Sequence, residues 1–138
     1  MQCAPAVFAD VVFLCERKET GRAVVSELTK LGIHTIHTFA EQDDAARQQK
    51  RYFFKGDARV KATTIHSFKG WEGPHLVVAT ADTHGARGLS AIYTALTRLK
   101  SSPHGSRLTV ISASPELDDF GRKWPRYRRT AAPEPPSL

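Results

Sequence analysis

The segment that decides the fold reads Thr64-Ile65-His66-Ser67-Phe68-Lys69-Gly70-Trp71-Glu72-Gly73. It follows an alternating run over residues 60–65 and precedes an apolar run over residues 76–79. In an α/β sheet, polar loops that follow buried strands are where ligands usually bind. The pattern therefore predicts two buried strands with a candidate functional loop between them.

The rest of the chain alternates predicted strands with predicted helices. Helical periodicity over residues 19–31 ends before Gly32, which suits the left-handed position past a helix end. This alternation predicts an α/β domain of three layers, with a mostly parallel sheet covered by helices on both faces. Strands are predicted over residues 11–15, 33–39, 59–65, 76–79 and 107–112, and helices over residues 19–31, 86–99 and about 114–120.

The composition is that of an ordinary globular domain. The chain has 138 residues, of which 41% are hydrophobic and 25% charged, enough for one buried core. Its apolar runs are far shorter than the roughly 20 residues that span a bilayer. Cys3 and Cys15 are isolated thiols without a metal-binding or disulfide pattern. We therefore predict a single cytoplasmic domain without a membrane partner.

The net charge of +6 is concentrated near the C-terminus. Five of these positive charges belong to one cluster, made of Arg122, Lys123, Arg126, Arg128 and Arg129. The rest of the chain is nearly neutral, so the charge alone does not indicate a DNA-binding groove in its body. We predict an N-terminal lead over residues 1–8, a folded domain over 9–122, and a basic, proline-rich, disordered tail over 123–138.

A second segment reads Ala91-Ile92-Tyr93-Thr94-Ala95-Leu96-Thr97-Arg98. Taken together, the two segments resemble motifs V (T-x-H-x-x-K-G-L-E-F) and VI (Y-V-A-L-T-R-A) of the UvrD/Rep-type superfamily 1 DNA helicases. The resemblance extends over about residues 9–122 and is most specific over 60–98. It implies a RecA-like (P-loop NTPase-like) domain, the C-terminal or 2A domain of such a helicase. The chain departs from the family pattern at Trp71, Gly73 and Leu99.

One family motif is absent from the sequence. A phosphate-binding Walker A loop reads G-x-x-x-x-G-K-[ST], and none of the nine glycines here is followed by lysine. Asp82 follows an apolar run but lacks the next acid of a magnesium motif, so we interpret it as the polar end of a core strand. In the family, ATP lies between two RecA-like domains. The resemblance therefore implies a partner, an N-terminal RecA-like half in cis or in trans, that holds the phosphates and Mg²⁺ of ATP.

By the same resemblance, one group of residues is assigned to ATP. Arg98 matches the motif VI arginine, a catalytic arginine finger that reaches the γ-phosphate from across the cleft. A planar, permanently charged guanidinium suits that contact. Glu72 would accept a hydrogen bond from the ribose, and Gly70 would let the backbone approach the nucleotide. The ATP-binding candidates are Gly70, Glu72 and Arg98.

Other residues are assigned to DNA or to support. Thr64 and His66 match motif V positions that face single-stranded DNA, where a hydroxyl and an imidazole suit phosphate contact and base stacking. Lys69 and Thr97 are supporting candidates. No metal site is predicted, since His34 and His37 would face opposite sides of a strand and lack acidic or thiol partners.

Two functional hypotheses follow. The first is the C-terminal motor domain of an ATP-dependent DNA helicase or translocase, which uses ATP with Mg²⁺ and single-stranded DNA but does not hydrolyse ATP alone. The alternative is a non-catalytic RecA-like module that binds DNA or docks a partner.

Overall fold

Five strands and three helices make up the described part of the chain. The computed structural model describes residues 10–39, 59–68, 70–80, 85–112 and 115–123. In chain order the elements are β1 (Val11–Cys15), α1 (Lys18–Lys30), β2 (Thr35–His37), β3 (Val60–Thr64), β4 (His75–Thr80), α2 (Gly85–Leu96), β5 (Arg107–Ser112) and α3 (Pro115–Gly121).

All described strands belong to one parallel sheet in the order β2-β3-β1-β4-β5. The central strand is β1, whose run Val12-Phe13-Leu14-Cys15 is buried throughout, as expected of a parallel strand covered on both faces. At its carboxyl end, Cys15 pairs with Thr64 of β3 and with Ala79 of β4. The predicted α/β class with a mostly parallel sheet is confirmed.

The core is divided between the two faces of the sheet. On one face Leu14 and Val78 pack with Ala95 of α2, and on the other Phe13 and Ala62 pack with Val24 of α1. Alternate side chains of a strand point to opposite faces, so β1 contributes to both clusters. Helices α1 and α2 therefore cover opposite faces, and the three-layer arrangement is confirmed.

The packing of α1 depends on a close approach between Gly21 and Phe39. Both residues are buried, and a Cβ atom on Gly21 would lie 2.5 Å from each Cε atom of the Phe39 ring and closer still to Cζ. The Nε of Arg22 donates a hydrogen bond to the Phe39 carbonyl at 3.0 Å. The helix therefore sits against the end of the β2 segment only because residue 21 has no side chain.

His37 belongs to the same corner of the fold. Its Nδ1 accepts a hydrogen bond from the Phe39 N–H at 3.2 Å, and the two rings stack with centroids 5.5 Å apart. Burial, and then the charge of Arg22, lower the pKa of His37 from its ordinary value of 6.5. Neutral imidazole is thus the form that the folded protein favours.

This environment predicts a pH-dependent stability. The unfolded chain binds a proton at His37 more readily than the folded chain, so the free energy of unfolding should decrease as the pH falls below about 6.5. Urea denaturation at about pH 7.5 and about pH 5 measures this loss. His37→Gln should remove part of it, whereas the matched control His34→Gln, at an exposed position, should leave it in place. Equal pH dependence in wild type and His37→Gln would contradict the assignment.

Several element boundaries differ from the predictions. β2 is shorter than the predicted 33–39, and α2 ends at Leu96 instead of continuing to residue 99. As predicted, the chain passes from β3 to β4 through a loop without a helix. The other predicted strands, the first helix and the short C-terminal helix are confirmed within a few residues, and Gly32 takes a positive φ of 77° after α1.

Some predictions fall on residues outside those that the structure describes. They concern Lys69, Asp82, the lead over residues 1–8 and all but the first residue of the tail over 123–138. Among the described residues, no helix is long and apolar enough to cross a membrane.

Candidate functional site

The loop over residues 65–73 links the carboxyl end of β3 to the amino end of β4. Two of its apolar side chains, Ile65 and Phe68, are only 5% and 3% exposed and belong to the core on the α2 side. The Phe68 N–H donates to the Thr64 carbonyl at 3.1 Å, and the Trp71 N–H donates to the Phe68 carbonyl at 3.0 Å. The loop is therefore anchored in its middle, and its two ends lie towards opposite edges of the sheet.

At the carboxyl edge, Thr64 and His66 form what we call the carboxyl-edge pair. The Oγ1 of Thr64 accepts the Ser67 N–H at 3.2 Å and donates to the Ser67 Oγ at 3.0 Å. Thr64 is half-buried, whereas His66 is exposed. The threonine hydroxyl therefore holds the turn together, and His66 is the member of the pair that is more open to a ligand.

A neighbouring acid that the sequence analysis missed lies at this same edge. Glu16 follows β1, and its Oε1 accepts a hydrogen bond of 2.6 Å from Thr80 at the end of β4. The Cys15 carbonyl, one residue earlier, accepts the Ile65 N–H at 2.9 Å. A phosphate placed beside the carboxyl-edge pair would have this carboxylate nearby, which disfavours it electrostatically. Only the position of Glu16 directly after an apolar strand could have indicated it.

At the amino edge, the two candidate motifs are joined directly through their backbones. The Gly73 N–H donates to the Arg98 carbonyl at 3.0 Å, and the Lys100 N–H donates to the Gly73 carbonyl at 2.8 Å. Gly73 and Leu99 form an isolated parallel bridge. The Arg107 N–H adds a bond of 2.9 Å to the Pro74 carbonyl. The end of the second motif is thus attached to the end of the first.

This junction places its charged residues away from the core. Leu99 packs against the core cluster and Gly73 is buried, whereas Glu72 and Lys100, one residue from each, are exposed. Arg98 is half-buried. We call Glu72, Arg98 and Lys100 the amino-edge cluster.

The last turn of α2 orients Arg98. Its Nε donates to the Thr94 carbonyl at 3.3 Å, and the Oγ1 of Thr97 donates to the same carbonyl at 2.9 Å. The prediction that Thr97 and Arg98 lie inside the helix is wrong, because both lie in the turn that follows it. Within the described residues Arg98 has no ion-pair partner, so its terminal nitrogens have no carboxylate competing for them.

Gly70 and Trp71 complete the loop. Gly70 has a φ of 89°, a left-handed conformation that strongly favours glycine. A Cβ at Gly70 would meet nothing within 4 Å, so its backbone angle, and not crowding, requires glycine here. Trp71, where the family pattern has leucine, is 46% exposed, and Phe68 is the residue that anchors the loop instead.

The two candidate surfaces are well separated. Thr64 and Ala79 both pair with Cys15, one from each side, so they lie at the same level of the sheet. Gly73 lies just before His75, the first residue of β4. The four steps along β4 from Ala79 back to His75 span about 13 Å at roughly 3.3 Å per residue. One small ligand cannot contact both the carboxyl-edge pair and the amino-edge cluster, so the loop presents two separate candidate surfaces.

Comparisons with known proteins give structural matches alone. No protein-family model and no curated protein matches the chain. Its structure is similar to the C-terminal domain of a possible DNA helicase from Lactobacillus plantarum WCFS1, with 13% identity and a TM-score of 0.53 over 78% of this chain. It is also similar to the C-terminal part of the Fun30 ATPase domain, with 9% identity and a TM-score of 0.51 over 82% of this chain.

A third similar structure is the E. coli DEAD-box protein SrmB, solved with the regulator of ribonuclease activity A, with 14% identity and a TM-score of 0.54 over 94% of this chain. The fold is RecA-like. The chain spans 60% of the Lactobacillus structure and 38% of the Fun30 structure, but 85% of the SrmB structure. These RecA-like structures come from differently named helicase and ATPase groups, so the similarity does not single out the UvrD/Rep type.

Proposed function

We propose that this chain is the C-terminal RecA-like motor domain of a UvrD/Rep-type, ATP-dependent DNA helicase or translocase. The observation that carries the proposal is the backbone junction at Gly73, which brings Glu72 and Arg98 from distant parts of the sequence to one edge. These are the two residues that the motif resemblance assigns to the ribose and the γ-phosphate of ATP. The RecA-like fold supports the same proposal.

The residues of this edge suit part of an ATP site and not all of it. Arg98 has its Nε held by Thr94, which leaves the terminal nitrogens to donate two parallel bonds to phosphate oxygens. Glu72 is exposed and its carboxylate can accept bonds from ribose hydroxyls. Glu72 is the only carboxylate that the described structure contributes to this cluster, and magnesium is usually held by one or two carboxylates together with the phosphates. We therefore assign the phosphate loop and Mg²⁺ to an N-terminal RecA-like half.

In this proposal the domain contributes a positive charge that is placed beside the γ-phosphate. Arg98 would neutralise negative charge on the γ-phosphate. Arginine fingers increase the turnover number by about 10³- to 10⁵-fold in this way. Bound ATP supplies the phosphoryl group that is transferred to water. His66, at the other edge, would contact single-stranded DNA, with Thr64 holding its turn in place.

One exposed aromatic side chain suits the non-catalytic alternative as well as the motor. Tyr93, one turn before Thr97 on α2, is 70% exposed, and aromatic residues are enriched where proteins dock. In the motor proposal this side chain would face the N-terminal half. In the alternative it would face some other partner, and the amino-edge cluster would not bind nucleotide.

A nuclear magnetic resonance titration tests the proposal, with the ¹⁵N-labelled chain joined to an unlabelled N-terminal RecA-like half. We expect Mg·ATP to shift the amide signals of residues 70–73 and 97–100, and an oligo(dT) strand to shift those of residues 64–67. The ATP shifts should be lost in Arg98→Ala and kept in the matched control Arg107→Ala, which removes an exposed arginine on β5. Shifts with oligo(dT) alone would identify the non-catalytic module. Shifts with neither ligand would overturn the proposed motor function and the DNA-binding form of the alternative.

A further inference from the structure

We propose that Lys100 is a second phosphate-binding cation of the amino-edge cluster, acting beside Arg98 on the polyphosphate of ATP. The inference rests on the proposed function, since it concerns the same site. It goes beyond the motif resemblance, which ends at Arg98 and assigns nothing to the residues that follow.

The backbone of Lys100 is fixed at the junction. Its N–H donates to the Gly73 carbonyl at 2.8 Å, the shorter of the two bonds that Gly73 makes with this segment. The preceding residue, Leu99, is packed against the core. Lys100 therefore starts from a constrained position, two residues from Arg98, while its own side chain is exposed.

The net charge of the amino-edge cluster becomes positive only when Lys100 is included. Glu72 and Arg98 carry opposite charges and cancel, so these two residues alone give no net attraction for a polyanion. Lys100 makes the cluster positive. Within the described residues the Lys100 ammonium has no ion-pair partner, so its charge is not neutralised by a neighbouring carboxylate. A flexible lysine stem with a compact ammonium suits a phosphate chain whose position changes as the site closes.

Two other cations, Arg107 and Lys18, suit this role less well. Arg107 also binds the 73–74 segment through its N–H, but it pairs with His75 in the β4–β5 register and is part of the sheet itself. Lys18 opens α1 after the carboxyl end of β1 and lies at the opposite edge of the sheet. Lys18 is exposed and therefore serves as a control for the loss of one positive charge.

The test compares ligands that differ in phosphate number. Titrations with tripolyphosphate, ATP and AMP should be followed by the amide signals of the ¹⁵N-labelled chain joined to its N-terminal RecA-like half. The chain is compared as the wild type, Lys100→Ala, Lys100→Arg and Lys18→Ala. We expect Lys100→Ala to weaken binding of ATP and tripolyphosphate about fivefold, as for one exposed charge-assisted contact. AMP binding should be unchanged, Lys100→Arg should retain most of the affinity, and Lys18→Ala should bind ATP like the wild type.

The outcomes separate this inference from the proposed function. Equal ATP affinity in Lys100→Ala and Lys18→Ala, together with a loss in Arg98→Ala, would overturn the role of Lys100 and leave the ATP site intact. An equal loss of AMP and ATP binding in Lys100→Ala would also overturn it, because the effect would then not depend on the polyphosphate. If ATP shifts no signal at the amino edge of the wild type, both the inference and the proposed function fail.

Discussion

Replacing Arg98 with alanine is expected to lower the ATP turnover number of the assembled motor by about 10³- to 10⁵-fold. In the proposed motor the guanidinium acts on the γ-phosphate from a fixed orientation, since the Thr94 carbonyl accepts its Nε–H. Alanine removes that charge without disturbing Gly73, because the junction uses the carbonyl and not the side chain of residue 98. Steady-state ATP hydrolysis by the domain joined to its N-terminal RecA-like half, with single-stranded DNA present, measures the effect.

Matched variants distinguish a catalytic from a structural effect. Arg98→Lys keeps the charge but loses the planar fork, so it should recover only part of the rate. Thr97→Ala removes the hydroxyl that shares the Thr94 carbonyl and should reduce the rate modestly. Arg107→Ala should hydrolyse ATP normally. Affinity for oligo(dT) should be the same in all four variants. An Arg98→Ala motor with normal turnover would refute the arginine-finger assignment.

Replacing Gly21 with alanine is expected to decrease the free energy of unfolding by about 3 kcal/mol, a large overpacking cost. Glycine to alanine inside a helix normally stabilises it by up to about 1 kcal/mol, so the predicted sign is opposite to that of helix propensity. The reason is the Phe39 ring, whose Cε atoms lie 2.5 Å from where the new Cβ would be. Neither side can yield easily, since Phe39 is buried and its carbonyl is tied to Arg22. Urea denaturation measures the loss.

A second substitution separates steric overlap from other effects. In the double variant Gly21→Ala with Phe39→Leu, the smaller side chain should relieve the overlap, so the two changes together should cost less than their sum. Ser26→Ala, at an exposed position on the same helix, should raise stability slightly. Strict additivity in the double variant would show that the Phe39 ring is not the obstacle.

The sequence was most informative where local pattern and burial agree. The apolar run of β1 indicates a strand covered on both faces, and it is the central strand. Gly32 follows a regular amphipathic helix and takes the positive φ expected of it. These features depend on neighbours within a few residues, which a single sequence contains.

What the sequence could not predict depends on contacts between distant residues. Periodicity extends the second helix to residue 99, but the backbone leaves helical geometry after Leu96 because Leu99 pairs with Gly73. Nothing local to either residue indicates that bridge. The contact of Gly21 with Phe39 cannot be predicted from the sequence either, since a glycine within a helical pattern ordinarily indicates only a position of low helix propensity. The place of Phe68 in the loop is consistent with an apolar anchor, whereas the motif resemblance implies that the anchor is residue 71.

The strand order also has a consequence for the order in which the chain folds. β2 is hydrogen-bonded only to β3 among the described strands, and β3 separates it from β1. Until the ribosome has made β3, neither β1 nor β2 has a partner strand among the described strands, and α1 has no described sheet to cover. The first pairing of β1 must wait for β3, whose Lys61 pairs with Val12, and this closure across a long stretch of sequence slows folding. We therefore expect the nascent chain to remain without a sheet until β3 emerges, after which β4 can add to the free side of β1.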